Sequence, residues 1–247
     1  MKGGLPEFLR ARLDPAQRYG LRVTLFFIAL LIVALPFSYL LTQVQTSGPL
    51  TEIDTELAQD INEWIHASTF LVALSYVVSF LASPPWFWLL VGGCAIWFFR
   101  RGDRRLALFV VATSIGGGAI STVIKVVVDR ERPEVDQPIA EAFGKSFPSG
   151  HAMGATYVYG ALLLAFMPFI PRRARGWAIA AWLLVVTFVS LSRLGLGVHF
   201  LTDVLGGFVL GLAWLAVATA AFSIWRREEG EAPVEVLEGA EPEAARH

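Results

Sequence analysis

Ser192-Arg193-Leu194-Gly195-Leu196-Gly197-Val198-His199-Phe200-Leu201-Thr202-Asp203 joins two apolar runs, 177–193 and 200–225. Arg193 closes the first run, and His199 and Asp203 open the second. An arginine, a histidine and an aspartate thus sit at the mouth of an apolar helix, where charge is costly unless it has a partner or a task. Two helices meeting at polar residues is the pattern from which the rest of the chain can be read.

Further out, apolar residues dominate. Of the 247 residues, 55% are hydrophobic and the mean hydropathy is +0.57. An ordinary soluble domain has an apolar share of about 45–50%. Runs of roughly 17–25 apolar residues can cross a bilayer as helices. Six such runs are read here: 22–42, 84–99, 106–127, 151–170, 177–193 and 200–225. The stretch Phe70–Leu81, before Pro84-Pro85, is too short to span alone and is read as an interfacial lead-in. The expected fold is therefore all-α: a polytopic membrane protein with six transmembrane helices. Basic residues precede the first run as in a signal peptide, but Gln43-Val44-Gln45-Thr46 offers no small-x-small cleavage site, so a retained helix is expected.

One integral-membrane domain, 1–227, accounts for the chain, with neither a repeat nor a second domain. The remaining 228–247 is acidic, contains proline and lacks periodicity, and is expected to be a disordered cytoplasmic tail. A net charge of −1 gives no indication of a nucleic-acid partner, and the sequence leaves the oligomeric state open. The single cysteine, Cys94, lies in an apolar run and reads as a buried structural thiol. No disulfide can form within the monomer, and no zinc or iron–sulfur spacing is present.

The cations sort by loop. Cytoplasmic loops are enriched in Lys and Arg. Lys2, Arg10, Arg12, Arg18 and Arg22 precede the first span; Arg100, Arg101, Arg104 and Arg105 join the second and third. Arg172, Arg173 and Arg175 join the fourth and fifth, and Arg226, Arg227 and Arg246 follow the sixth. With six spans these fall on one side, so both termini are expected in the cytoplasm, in what reads as a bacterial plasma membrane. Lys125, Arg130, Arg132, Lys145 and Arg193 fall on the other. Arg130 and Lys145 are read as side chains snorkelling to headgroups. The outer segment 43–69 has no Lys or Arg. Within it, Ile53, Leu57, Ile61, Trp64 and Ile65 recur at helical spacing across 51–66. That helix could lie on the outer membrane surface or pack against its own protein.

Three clusters remain. Lys125 and Arg132 are seven apart, on one face if the helix persists, and Pro133 discourages further helix. Lys125 lies deep enough to want an anion. Pro148-Ser149-Gly150-His151 opens the fourth span, with Ser149 as a plausible N-cap; a helix start with free N–H groups favours phosphate, and Gly150 permits close approach. His199 and Asp203 lie one turn apart, so the carboxylate can take the Nδ1 proton and leave Nε2 free. Arg193 can clamp phosphate oxygens. Each fragment alone also has a structural reading: a bare helix start, or a capping Asp beside a satisfied histidine. Jointly they suit binding a phosphate and transferring it to a histidine.

The order Lys-x6-Arg-Pro, Pro-Ser-Gly-His and Ser-Arg-x5-His-x3-Asp resembles the three-part motif of the type 2 phosphatidic acid phosphatase and vanadium haloperoxidase superfamily, with every position filled between 125 and 203. Six spans resemble its membrane lipid-phosphatase branch. The resemblance implies that His199 is the nucleophile that becomes phosphohistidine, that Asp203 orients it, and that His151 protonates the leaving group. It further implies that Lys125, Arg132, Arg193, Ser149 and Gly150 bind the phosphate, with no metal or other cofactor. The implied partners are the bilayer and a lipid phosphate: polyprenyl diphosphate, phosphatidylglycerol phosphate or phosphatidic acid, met at the outer face. A vanadate-dependent haloperoxidase and a non-catalytic lipid-binding or transport protein are the alternative functions.

Overall fold

The computed structural model describes residues 21–136, 139–228, 234–235 and 237–241; the side chains of 21–30, 32, 227 and 228 are not described. Lys2, Arg10, Arg12, Arg18 and Arg246, which helped set the expected topology, lie outside these residues. Among the described residues the chain forms eight α-helices: α1 Leu21–Thr46, α2 Pro49–His66, α3 Thr69–Phe80, α4 Pro84–Arg101, α5 Arg104–Val128, α6 Gly150–Phe166, α7 Arg172–Gly195 and α8 Leu201–Glu228.

Among the described residues, four segments can cross a membrane by length and composition: α5, Gly150–Phe169, α7 and Leu201–Arg226. The pair α2–α3, bent by 114°, makes a fifth if counted as one span. Six were expected. α4 falls short because Pro84 and Pro85 occupy its first turn and Arg100 and Arg101 its last. Proline suits the start, where its missing N–H costs nothing, and Gly102 ends the helix at φ 92°. α1 is 26 residues long, but much of its side-chain environment lies outside the described residues. The expected lead-in at 70–81 is the twelve-residue α3.

α6 is the central helix. It packs most extensively on α8, and also on α5 and α7, and residues are buried on all its faces, from Ala152 and Met153 to Leu164 and Ala165. Its approach to α8 is close enough that a Cβ on Gly211 would meet the Met153 carbonyl oxygen at 2.9 Å. Small residues allow such backbone proximity, which membrane helices use because apolar side chains gain little by leaving lipid for protein. The main core runs from Phe87, Val91 and Phe98 through Leu106 and Val110 to Val158, Val189 and Phe222, with Cys94 packed half-buried at its edge.

α2 packs on α7 and α8, so one face of this segment meets its own protein. The buried residues are Asp54, Ala58, Asn62 and Ile65, whereas Ile53 and Trp64 from the expected apolar face are exposed. The face that packs is offset because polar contacts choose it: Asn62 Nδ2 donates to the Gly195 carbonyl at 3.0 Å.

The described residues beyond α8 meet the ends of other helices. Arg175 donates to the Leu237 carbonyl at 2.5 Å, Glu238 pairs with Arg175 at 2.9 Å and with Arg172 at 3.0 Å, and the Ala240 N–H donates to Leu164 O at 2.8 Å. The acidic composition that reads as solvated chain is matched by arginines at the helix ends it meets.

Candidate active site

α5 ends one turn beyond Lys125: Asp129 adopts φ 54° and its N–H donates to the Lys125 carbonyl at 3.1 Å. The Lys125–Arg132 spacing is therefore not a helical face, because the helix stops at Val128. A folded connector delivers Arg132 instead. Its guanidinium donates to the carbonyls of Gly144 at 2.9 Å, Val198 at 2.7 Å and Phe143 at 3.1 Å. Lys125 Nζ donates to the Lys145 carbonyl at 2.7 Å. Ser146 ties the connector to itself, its N–H reaching Arg130 O at 2.8 Å and its Oγ Glu131 O at 2.6 Å.

Ser149, fully buried, caps α6 as read from sequence, its Oγ accepting from the Ala152 N–H at 3.5 Å. Gly150 and His151 form the first turn. At the end of α7, Arg193 is buried and donates from Nη1 to Ser79 Oγ at 2.5 Å. Its Nε is buried without a hydrogen-bond partner among the described residues.

Past the turn at Gly197, His199 is 2% exposed. Its Nδ1 lies 3.3 Å from Asp203 Oδ2, which also accepts the Phe200 N–H at 2.9 Å. An Nδ1–H donating to the carboxylate leaves Nε2 as the lone-pair nitrogen, and Arg132 Nη1 lies 3.4 Å from it. Burial pushes the imidazole down from its ordinary value to about 4, and the Arg193 and Arg132 charges push the same way, against the Asp203 hydrogen bond and charge. His199 is thus neutral at pH 7 and able to act as a nucleophile.

Lys125, Arg132, Gly150, His151, Arg193 and His199 line one cavity of about 420 Å³. It continues between α4 and α5 along Phe87, Trp88, Val91 and Gly118, with Tyr157 of α6. Besides the cations and the two imidazoles, apolar side chains of α4 and the hydroxyls of Ser114, Ser121 and Thr122 on α5 line the cavity. Such a shape takes an anionic head and an apolar tail. Among the described residues no group of three His, Cys, Asp or Glu could hold a metal. The charge facing an anion comes from three side-chain cations and a helix start.

Two cations read as snorkelling do something else. Lys145 pairs with Asp129 at 2.9 Å and with Glu131, being drawn to its own connector's carboxylates. Arg130 turns inward: Nη1 donates to Asp203 Oδ1 and to Thr202 Oγ1, both at 2.7 Å, and Nη2 to Asp54 Oδ2 at 2.8 Å. Asp54, 1% exposed, also accepts from the Thr202 N–H at 2.9 Å and from its hydroxyl. Sequence reasoning missed Arg130, Asp54 and Thr202. The available signal was weak: Asp54 lies four residues before Ala58, but the same helix also carries Glu52, Glu56, Asp60 and Glu63.

Comparison with known proteins adds a family. The sequence profile of the PAP2 superfamily matches residues 106–227. The chain is 35% identical over 156 residues to phosphatidylglycerophosphatase B of Bacillus subtilis, covering 62% of this chain and 70% of that protein. It is 40% identical over 111 residues to the decaprenylphosphoryl-5-phosphoribose phosphatase of Mycolicibacterium smegmatis, covering 44% and 56%. The crystal structure of a transmembrane PAP2-type phosphatidylglycerolphosphate phosphatase from Bacillus subtilis superposes with a TM-score of 0.71 at 25% identity, covering 76% of this chain and 92% of that one.

Proposed function

The chain belongs to the PAP2 superfamily, and on that footing we propose that it is a metal-independent membrane lipid phosphatase working through a phosphohistidine. One observation carries the reading: His199 and three cations line a single cavity with apolar side chains of α4, Phe87, Trp88 and Val91. Similarity to a phosphatidylglycerophosphatase and to a polyprenyl-type phosphatase supports a lipid rather than a soluble ester.

In the first step His199 Nε2 attacks phosphorus, an N–P bond forms and the P–O bond to the lipid breaks. His151, held on the first turn of α6, gives its proton to the leaving oxygen. In the second step His151 takes a proton from water as the water oxygen attacks phosphorus. The N–P bond then breaks and inorganic phosphate leaves. Phosphoryl transfer spreads negative charge over the equatorial oxygens, so its catalysis is mostly positioning and electrostatic stabilisation. Lys125, Arg132 and Arg193 supply that charge, and the Gly150 amide completes the cradle at the helix start; Ser149, expected to bind phosphate, is buried outside the cavity lining and instead caps that helix. Asp203 steadies the imidazole as it becomes cationic.

The sorting of the arginines supports six spans, counting α1 and α4, with cytoplasmic termini, the site at the outer face and a bacterial plasma membrane as the setting. The motifs read phosphate; the tail is read by the apolar side chains that α4 gives the cavity. The reading is tested by phosphate release from phosphatidylglycerol phosphate, polyprenyl diphosphate and phosphatidic acid, using the purified protein in detergent with EDTA present. Turnover of at least one lipid that survives EDTA and is blocked by orthovanadate is expected. No turnover across the panel, or turnover lost to EDTA and restored by magnesium, contradicts it.

A further inference from the structure

We propose that Asp54 and Arg130 are positioning residues that hold and charge-balance the His199–Asp203 pair, so that helix α2, outside the three-part motif, is part of the catalytic apparatus. The inference rests on the reading of His199 as nucleophile.

Asp203 has two oxygens with separate duties. Oδ2 faces His199 Nδ1 at 3.3 Å and the Phe200 N–H at 2.9 Å; Oδ1 accepts from Arg130 at 2.7 Å. A carboxylate fixed at both oxygens cannot rotate, and the imidazole it faces keeps one tautomer. Arg130 is fixed in turn. Its other arm reaches Asp54 at 2.8 Å, and its guanidinium lies over the Phe200 ring at 4.1 Å from the centroid. Asp54 closes the loop by accepting the Thr202 N–H at 2.9 Å, one residue before Asp203. The chain from α2 to the nucleophile is continuous: Asp54 is 1% exposed, Asp203 0% and His199 2%, and the Arg130 side chain between them 11%.

The charges explain why two acids are needed. Arg130 and Asp203 alone would cancel, and the cationic ring of a phosphohistidine that keeps Nδ1–H would face a neutral pair. With Asp54 the group carries one net negative charge, which the ring balances only once the phosphoryl group has been transferred. An interaction that strengthens along the reaction raises kcat rather than lowering KM. Neither residue lines the cavity, so neither is placed to bind phosphate directly.

The test uses the full chain in detergent, with Asp54→Asn, Arg130→Gln and Arg130→Lys beside wild type and two readouts. Steady-state kinetics on phosphatidylglycerol phosphate should show kcat lowered about 30-fold or more in Asp54→Asn and Arg130→Gln, with KM within about threefold, and partial recovery in Arg130→Lys. Nitrogen-15 NMR of labelled histidines, with the His199 signal assigned by its loss in His199→Gln, reads the ring without substrate. Wild type should show a single Nδ1–H tautomer, and the Asp54→Asn and Arg130→Gln variants a mixture. An unchanged tautomer in both variants overturns the inference, as does a kcat within about threefold of wild type in folded protein. Should wild type release no phosphate from any lipid, the phosphatase reading falls. The tautomer then still decides whether Asp54 and Arg130 hold the ring.

Discussion

The backbone N–H of Ser149 donates to the carbonyl oxygen of Asp203 at 2.9 Å. That bond ties the start of the helix carrying His151 to the first turn of the helix that His199 precedes. The proposed acid and nucleophile are therefore set by one contact between two helix N-termini.

Gly207 keeps that contact close, since a Cβ there would meet the Ser149 carbonyl oxygen at 2.7 Å and the Met153 nitrogen at 3.1 Å. Both neighbours are backbone and cannot step aside. Gly207→Ala should cost about 1–3 kcal/mol by overpacking and lower kcat/KM by separating His151 from His199. Gly176→Ala, where a Cβ would meet nothing within 4 Å, should change neither. Thermal midpoints in detergent, measured with turnover, check the pair.

Arg132 should not tolerate lysine. Four carbonyls grip its guanidinium, and an ammonium on a flexible stem cannot reach all four while facing phosphate. A charge-assisted hydrogen bond contributes about 1.5–3 kcal/mol, so Arg132→Lys should lose roughly ten- to a hundredfold in kcat/KM. Activity within a factor of about three would show that charge alone suffices there.

The Asp129–Phe147 connector shows how much of the site could be read from sequence. That Lys125, Arg132, His151, Arg193 and His199 would share one cavity was legible because a charged or titratable side chain in an apolar chain demands a reason, and each stands near the end of an apolar run. Arg130 was not legible. Its partner Asp54 lies 76 positions away on a helix with several carboxylates, and local periodicity cannot say which of them is buried. The same gap hid the docking of Glu238 on Arg172 and Arg175. The helices themselves followed from hydropathy, except that Pro84-Pro85 and the Arg100–Arg101 pair shorten the apolar part of α4.

The lowered proton affinity of His199, at about 4 against about 6.5 for an unperturbed histidine, fixes a pH dependence. Between those values the unfolded chain binds a proton that the folded chain refuses, so stability rises with pH across this window and is lost as pH falls through it. The thermal midpoint of wild type should fall from pH 6.5 towards pH 4, and His199→Gln should show a smaller fall. Equal falls in both proteins would remove His199 as the titrating group.

Sidedness follows from the loops. In a Cys94→Ala background, Glu134→Cys should react with a membrane-impermeant thiol reagent in intact cells, whereas Arg173→Cys should react only after permeabilisation. Both positions are exposed. The reverse pattern would place the site inside the cell while leaving its chemistry standing.

Transfer of phosphorus to one named nitrogen is the central claim, and it can be trapped. Phosphohistidine survives alkali, so the protein should be mixed with phosphorus-32-labelled lipid phosphate, quenched in base within the first turnover and separated from lipid. Wild type should carry label on the peptide containing His199, and His199→Ala should carry none while remaining folded and membrane-inserted. Turnover by wild type with no label on the chain, or label retained in His199→Ala, would contradict the account.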